Sequence, residues 1–282
     1  MDEEREDDQS QVFKLALLIL VALVAAGAAI YLLKYRKPAP APEAPKTEEV
    51  AQAPAAQSPA APADLSPLVI PAVALDKSDP VVREFARSVS ADVRFGQWVQ
   101  TGELVRKLVV AVDNVANGLS PKPHVDFFSP EGAFKVVSGA GETYIDESGY
   151  ARYDPVAEVF VSLDAPAAVR LYKGLKPLIR QAYKDLGYPD TEFDDTLVKA
   201  MAELMGTPVV QGRIRLEKKV VSYVMADANL EGLSPVQKQL LRMGPKNVER
   251  IQKKIQELAA TLGISELRLP PPRVYSARSG KP

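Results

Sequence analysis

The chain has 282 residues, 46% of them hydrophobic, and a formal net charge of -1, which is enough for one well-buried domain plus appendages. It contains no cysteine and one histidine, His124, which excludes thiol catalysis, a disulfide framework and any single-chain metal centre built from the usual cysteine and imidazole ligands. The near-neutral total conceals a segregation. Met1 to Gln11 hold six acids and one arginine, while the stretch from Ser234 onward is basic, so the charge points to a tail or an interaction surface and not to a nucleic-acid protein as a whole.

Residues 1–14 read as an acidic tail. From Leu15 to Leu33 the run "LALLILVALVAAGAAIYLL" offers nineteen uncharged, mostly apolar residues, enough helix to cross a hydrocarbon layer roughly 30 Å thick. Lys34, Tyr35, Arg36 and Lys37 follow as an interfacial anchor. The run exceeds the roughly 7 to 15 residues of a signal-peptide core and its leader is acidic, so an uncleaved transmembrane helix is expected. Residues 34–74 read as a disordered linker, with nine prolines between Pro38 and Pro71 biasing it to polyproline II at about 3.1 Å per residue.

A globular domain is expected over residues 75–263. Thr101 is placed to cap a helix ending at Gly118, with Leu104, Val105, Leu108, Val109, Val112, Val115 and Ala116 at helical spacing. Asp164 caps a second helix running through Tyr172, Leu175, Ile179 and Tyr183 to Gly187, which Gly174 and Pro177 are expected to kink or split. A third, from about Asp194 to Met205, stops at Thr207-Pro208. "AFKVV" near Phe134 and "RIRLEKKVVSYVMA" from Arg213 carry strand signals. The fold class is therefore mainly α with a small β element, followed by a basic disordered tail over residues 264–282.

The motifs that suggest chemistry are few. His124 and Asp126 in "PKPHVD" lack a nucleophile elbow to serve. "GAGETY" from Gly139 lacks the third glycine of a dinucleotide loop and reads as a hairpin turn, and there is no phosphate-cradling loop, so no cofactor is expected. Asp190, Glu192, Asp194 and Asp195 fail as a calcium loop because Asp195 stands where the turn glycine belongs and Met201 at the twelfth position; they read as acids favoured at a helix start. "LLRMGPKNVERI" from Leu240 resembles a DNA-binding helical hairpin but lacks its first glycine. The alternative is a structural corner. Ser234 with Gln237 forms a capping box, Gly244 takes a left-handed backbone at the end of a short helix, and Pro245 opens the next. Lys246, Arg250 and Lys253 then share one stripe opposite Val248, Ile251, Ile255 and Ala259, a candidate surface for an anionic partner together with Arg268, Arg273, Arg278 and Lys281.

The segments "RKLVVAVDNVANGLSPKPH", "SLDAPAAVRLYKGLKPLIRQAYKDLGYP", "FDDTLVKAMAELMGTPV" and "LEGLSPVQKQLLRMGPKNVERIQKKI" resemble the bacterial domain of unknown function family 3014, over roughly Leu75 to Leu262. The resemblance implies a plan of N-terminal anchor, proline-rich spacer and this domain; it brings no catalytic residue, and the acidic leader departs from it. The expectation is a single-pass protein of the bacterial inner membrane, held in the bilayer through residues 15–33, whose stalked domain binds or scaffolds an envelope protein or anionic partner, with nucleic acid disfavoured. The alternatives are a hydrolase using carboxylates such as Asp113, Asp126 and Asp154, or a cytoplasm-facing binder of nucleic acid or anions. Lys34, Arg36 and Lys37 outnumber Arg5 and Lys14, which favours a cytoplasmic domain. The stalk and the resemblance favour the periplasm, which is the side expected.

Overall fold

A computed structural model describes residues 64–124, 132–139, 141–188, 192–220 and 222–277. Nine helices follow in chain order among them: α1 (Asp79–Ala86), α2 (Val93–Trp98), α3 (Leu104–Ala116), α4 (Asp154–Val161), α5 (Ala165–Asp185), α6 (Phe193–Met205), α7 (Ala228–Glu231), α8 (Pro235–Leu241) and α9 (Pro245–Leu262). Six short strands accompany them: β1 (Val136–Gly139), β2 (Glu142–Ile145), β3 (Val209–Gln211), β4 (Arg215–Lys218), β5 (Tyr223–Met225) and β6 (Val274–Ser276). The domain is mainly helical with a small sheet element, as its sequence predicts. Among the described residues no helix is long and apolar enough to cross a membrane. The expected anchor at 15–33 and the spacer as far as residue 63 lie outside the described residues.

Local chemistry explains most boundaries. Asp92 accepts the Arg94 amide at 2.8 Å to start α2, and Asp164 accepts the Ala167 amide at 2.8 Å to start α5. The start of α3 differs from expectation. Glu103 sits left-handed at φ 59°, and the cap comes from another helix: the Asp79 carboxylate accepts the amides of Glu103 at 2.7 Å and Leu104 at 2.9 Å. An anion at a helix N-terminus satisfies orphan amides and meets the positive end of the dipole, so it displaces Thr101, which accepts from Lys107 Nζ at 2.6 Å instead.

Helix α5 is not split at Gly174 and Pro177; it runs unbroken for 21 residues. Gly174 serves a close approach, since a Cβ there would lie 2.5 Å from the carbonyl oxygen of Leu68. Residues 65–70 lie along this bare patch, with the Leu68 amide donating to the Arg170 carbonyl at 3.2 Å and Lys173 Nζ to the Leu65 carbonyl at 3.0 Å. Ile70 packs against the cluster of Val105, Val109, Leu175 and Ile179. The ordered domain thus begins ahead of Leu75, because proline-rich chain with apolar residues at 65, 68 and 70 finds a helix groove to fill.

Strands β1 and β2 form an antiparallel hairpin whose turn contains Gly141, with β4 beside β2 and β5 beside β4. Ile145, Ile214, Leu216 and Met225 on one side meet Leu230 and Leu241. A second sheet pairs β3 with β6 in parallel, Val209 opposite Val274. This corrects the expected tail: residues 264–277 belong to the fold. Val209 and Val210 are buried, and a buried strand must pair its backbone; the Val209 amide donates to the Arg273 carbonyl at 2.8 Å and the Ala277 amide to the Gln211 carbonyl at 3.0 Å. Arg268 and Arg273 are tied down as well, to Asp195 at 2.9 Å and to the Gly206 carbonyl at 3.0 Å.

Candidate functional site

Helix α3 carries more apolar surface than one neighbour can cover. Val105 and Val109 are fully buried against Val82 and the inner face of α5. The next stripe round, Leu108, Ala111, Val112 and Val115, turns elsewhere. Helix α6 presents Leu197, Ala200, Met201 and Leu204 at the same helical spacing, α9 presents Ile255, Leu258 and Leu262, and α5 adds Leu171, Tyr172 and Leu175. These stripes pack together in part, Val115 with Ala200 and Met201 with Ile255, and leave between them a cavity of about 360 Å³. Several of its walls are only half-buried for that reason, and Leu108 is 41% exposed. The one hydroxyl in the wall is turned outward: Tyr172 donates to Asp194, which Lys176 Nζ meets at 2.5 Å. Burial and that carboxylate push the Tyr172 phenol well above its usual range, so it stays protonated.

A second cavity of about 230 Å³ adjoins the first, among Tyr153, Val156, Val236, Leu240, Met243 and Ile251. Val115, Phe160 and Leu204 line both. Its rim is polar, with Ser120, Lys122 and Gln239. The turn after α3 brings Ser120 and Lys122 there, and α8 brings Gln239. Gly118 at φ 71° lets the Leu119 amide reach back to the Asn114 carbonyl at 2.8 Å, a glycine helix stop that turns the chain toward Lys122. The Val236 amide donates to the Gly118 carbonyl at 3.1 Å and ties that turn to α8. Among the described residues Lys122 forms no ion pair.

The residues singled out in the sequence lie elsewhere. Lys246, Arg250 and Lys253 occupy the outer face of α9, Lys246 Nζ 3.9 Å from Asp154 and Arg250 Nη1 3.5 Å from Asn247 Oδ1. Ser234 and Gln237 form the capping box at the start of α8, and Pro245 opens α9. Gly244 departs from the expected left-handed stop. At φ 84° and ψ 158° it is extended with reversed sign and stands at the head of α9, because α8 closes on Arg242 and the chain must reverse within two residues. Met243, Val248 and Ile251 share one buried cluster beneath it.

Of the candidate carboxylates, the described two have separate partners. Asp113 lies beside Asn117 and Asp154 beside Asn247 and Lys246, while Asp126 lies outside the described residues. His124 ends the turn Lys122–His124. Of the acidic run, Asp190 lies outside the described residues, and Asp194 and Asp195 are engaged with Lys176 and Arg268. Asp76, Asp79 and Glu103 share a polar notch with Arg106, but Asp79 caps α3 and Asp76 pairs with Arg106 at 2.8 Å. Among the described residues no carboxylate lines either apolar cavity. Sequence reading missed the cavities, although one signal was present: the apolar residues of α3 span too wide an arc for a single buried face.

No curated protein and no solved structure matches the chain. The family described as "Protein of unknown function (DUF3014)" matches residues 104–259, from the first residue of α3 into the last turns of α9, which takes in most of the walls of both cavities. With more than half of its length inside that match, the chain belongs to the DUF3014 family.

Proposed function

We propose that the protein is a single-pass, membrane-anchored envelope protein whose stalked domain binds an apolar ligand within its helical layer. The carrying observation is the larger cavity, where four helices turn apolar stripes toward a common space of about 360 Å³ with no carboxylate among the described residues of its walls. Several of its apolar walls are partly exposed to water, Leu108 at 41%, and an occupant that covers them gains about 25 cal/mol per Å² of apolar surface removed from solvent. Apolar walls with a few polar groups at one rim are the usual form of a small-molecule site. The apolar run Leu15–Leu33 and the proline-rich stretch after it supply the anchor and the reach, with the domain on the periplasmic side.

Two measurements test this reading. Full-length protein in phosphatidylcholine nanodiscs, irradiated with a small uncharged diazirine probe, is expected to carry adducts on peptides of α3, α6 and α9 that contain Leu108, Leu204 and Leu258. Adducts confined to Leu15–Leu33 would sink the binding claim. Alkaline phosphatase fused after Pro282 is expected to be active; an inactive fusion beside a fluorescent cytoplasmic reporter would reverse the orientation.

A further inference from the structure

We infer that the two cavities form one channel for a single-chain amphiphile with an anionic headgroup, the headgroup at Lys122 and the chain passing between Val115, Phe160 and Leu204 into the larger space. This rests on the apolar-ligand reading and narrows it to a ligand class.

Three observations carry it. First, the same three side chains line both spaces, so the cavities adjoin and Val115, Phe160 and Leu204 are what a connecting waist would pass between. Neither is large against the roughly 300 to 1,000 Å³ of typical ligand sites, and a flexible chain is the shape that uses both through a narrow middle. Second, polarity is one-sided. Ser120, Lys122 and Gln239 stand on the rim of the smaller cavity, whereas in the larger one Tyr172 offers only its ring, its hydroxyl being committed to Asp194. A molecule polar at one end fits that asymmetry. Third, the charge that the described residues bring to the rim is positive: among them Lys122 forms no ion pair and Gln239 no side-chain hydrogen bond. A carboxylate or phosphate headgroup is an acceptor for this ammonium, whose exposure keeps the contribution modest.

The test uses full-length protein in phosphatidylcholine nanodiscs and two probes of equal length with a diazirine near the methyl end, a fatty acid and the corresponding fatty alcohol. The acid is expected to label far-cavity peptides bearing Leu197 and Leu258, and to do so about threefold more than the alcohol at low salt, a ratio set by an exposed ion pair. Raising the salt or making Lys122→Gln should bring that ratio toward one. Leu204→Trp, which fills the waist, should move adducts back to peptides of α8 and Ile251. Phe160→Ala, which widens it, should raise far-cavity labelling, and this second variant keeps the test sound if the tryptophan variant misfolds. Equal labelling by acid and alcohol, or adducts that stop at the near cavity in the unaltered chain, would overturn the inference while adducts from the uncharged probe left the wider reading standing. Absence of labelling by all three probes would remove both.

Discussion

Gly244 shows how one residue carries two constraints at once. Its backbone, at φ 84° and ψ 158°, lies where side-chain-bearing residues pay about 1–3 kcal/mol in strain. A Cβ built there would also lie 2.6 Å from Cγ and Cδ2 of the Tyr150 ring, well inside contact distance. That ring has little freedom to retreat, since Tyr150 is mostly buried and burial raises its phenol to about 12. Gly263 makes the control. It too has a positive φ, 78°, but its ψ of 20° is the left-handed helix stop that asparagine tolerates, and a Cβ there would touch nothing within 4 Å. Gly244→Ala is therefore expected to lower stability by roughly 2 kcal/mol or more and Gly263→Asn by well under 1 kcal/mol, read as shifts in the urea midpoint. Equal losses would show that the Tyr150 contact contributes nothing.

Between elements, buried amides join helices that apolar packing alone would leave free to slide. Gln252 of α9 is 1% exposed, and its Nε2 faces three carbonyls at the end of α6: Leu204 at 3.3 Å, Met205 at 3.2 Å and Thr207 at 2.8 Å. Three acceptors around one atom identify it as the nitrogen, and they are the orphan carbonyls every helix end must satisfy. Asn247 acts likewise, donating to the Met243 carbonyl at 3.1 Å and to Asp154 at 2.8 Å, and Lys254 Nζ donates to the Leu163 carbonyl at 2.8 Å. Gln252→Leu preserves bulk but strands those carbonyls, so a loss of roughly 1–3 kcal/mol is expected, with faster amide exchange at Gly206 and Thr207. A neutral result would mean that water takes over the cap.

On the scale of the whole molecule, α9 is divided lengthwise. Val248, Ile251, Ile255 and Ala259 are buried, while Lys246 and Lys253 are exposed and Arg250 is half-buried. Changing Lys246, Arg250 and Lys253 together to Gln removes exposed and half-buried charge, one 3.9 Å pair and the long 3.5 Å contact of Arg250 to Asn247, so stability should shift by no more than about 1 kcal/mol and cavity labelling should persist. Duplex DNA binding with a steep salt dependence, abolished by that triple change, would instead assign the face to nucleic acid.

Local chemistry by itself determined much of the domain. Helical spacing, the Asp164 cap, the capping box at Ser234 and the hairpin glycine at Gly141 are each written within a few neighbouring residues, and the mainly helical class follows from them. Tertiary structure alone decided what depends on distant partners: Asp79 capping α3 from 24 residues away, Gly174 making room for Leu68, and β6 pairing with β3, Val274 opposite Val209. The cavity belongs to this second group. Apolar periodicity states which face of a helix avoids water, but interlocking and standing apart produce the same pattern. Only the relative placement of α3, α5, α6 and α9 separates a filled core from a walled space, because packing depends on the volume between helices and that volume is a property of no single segment.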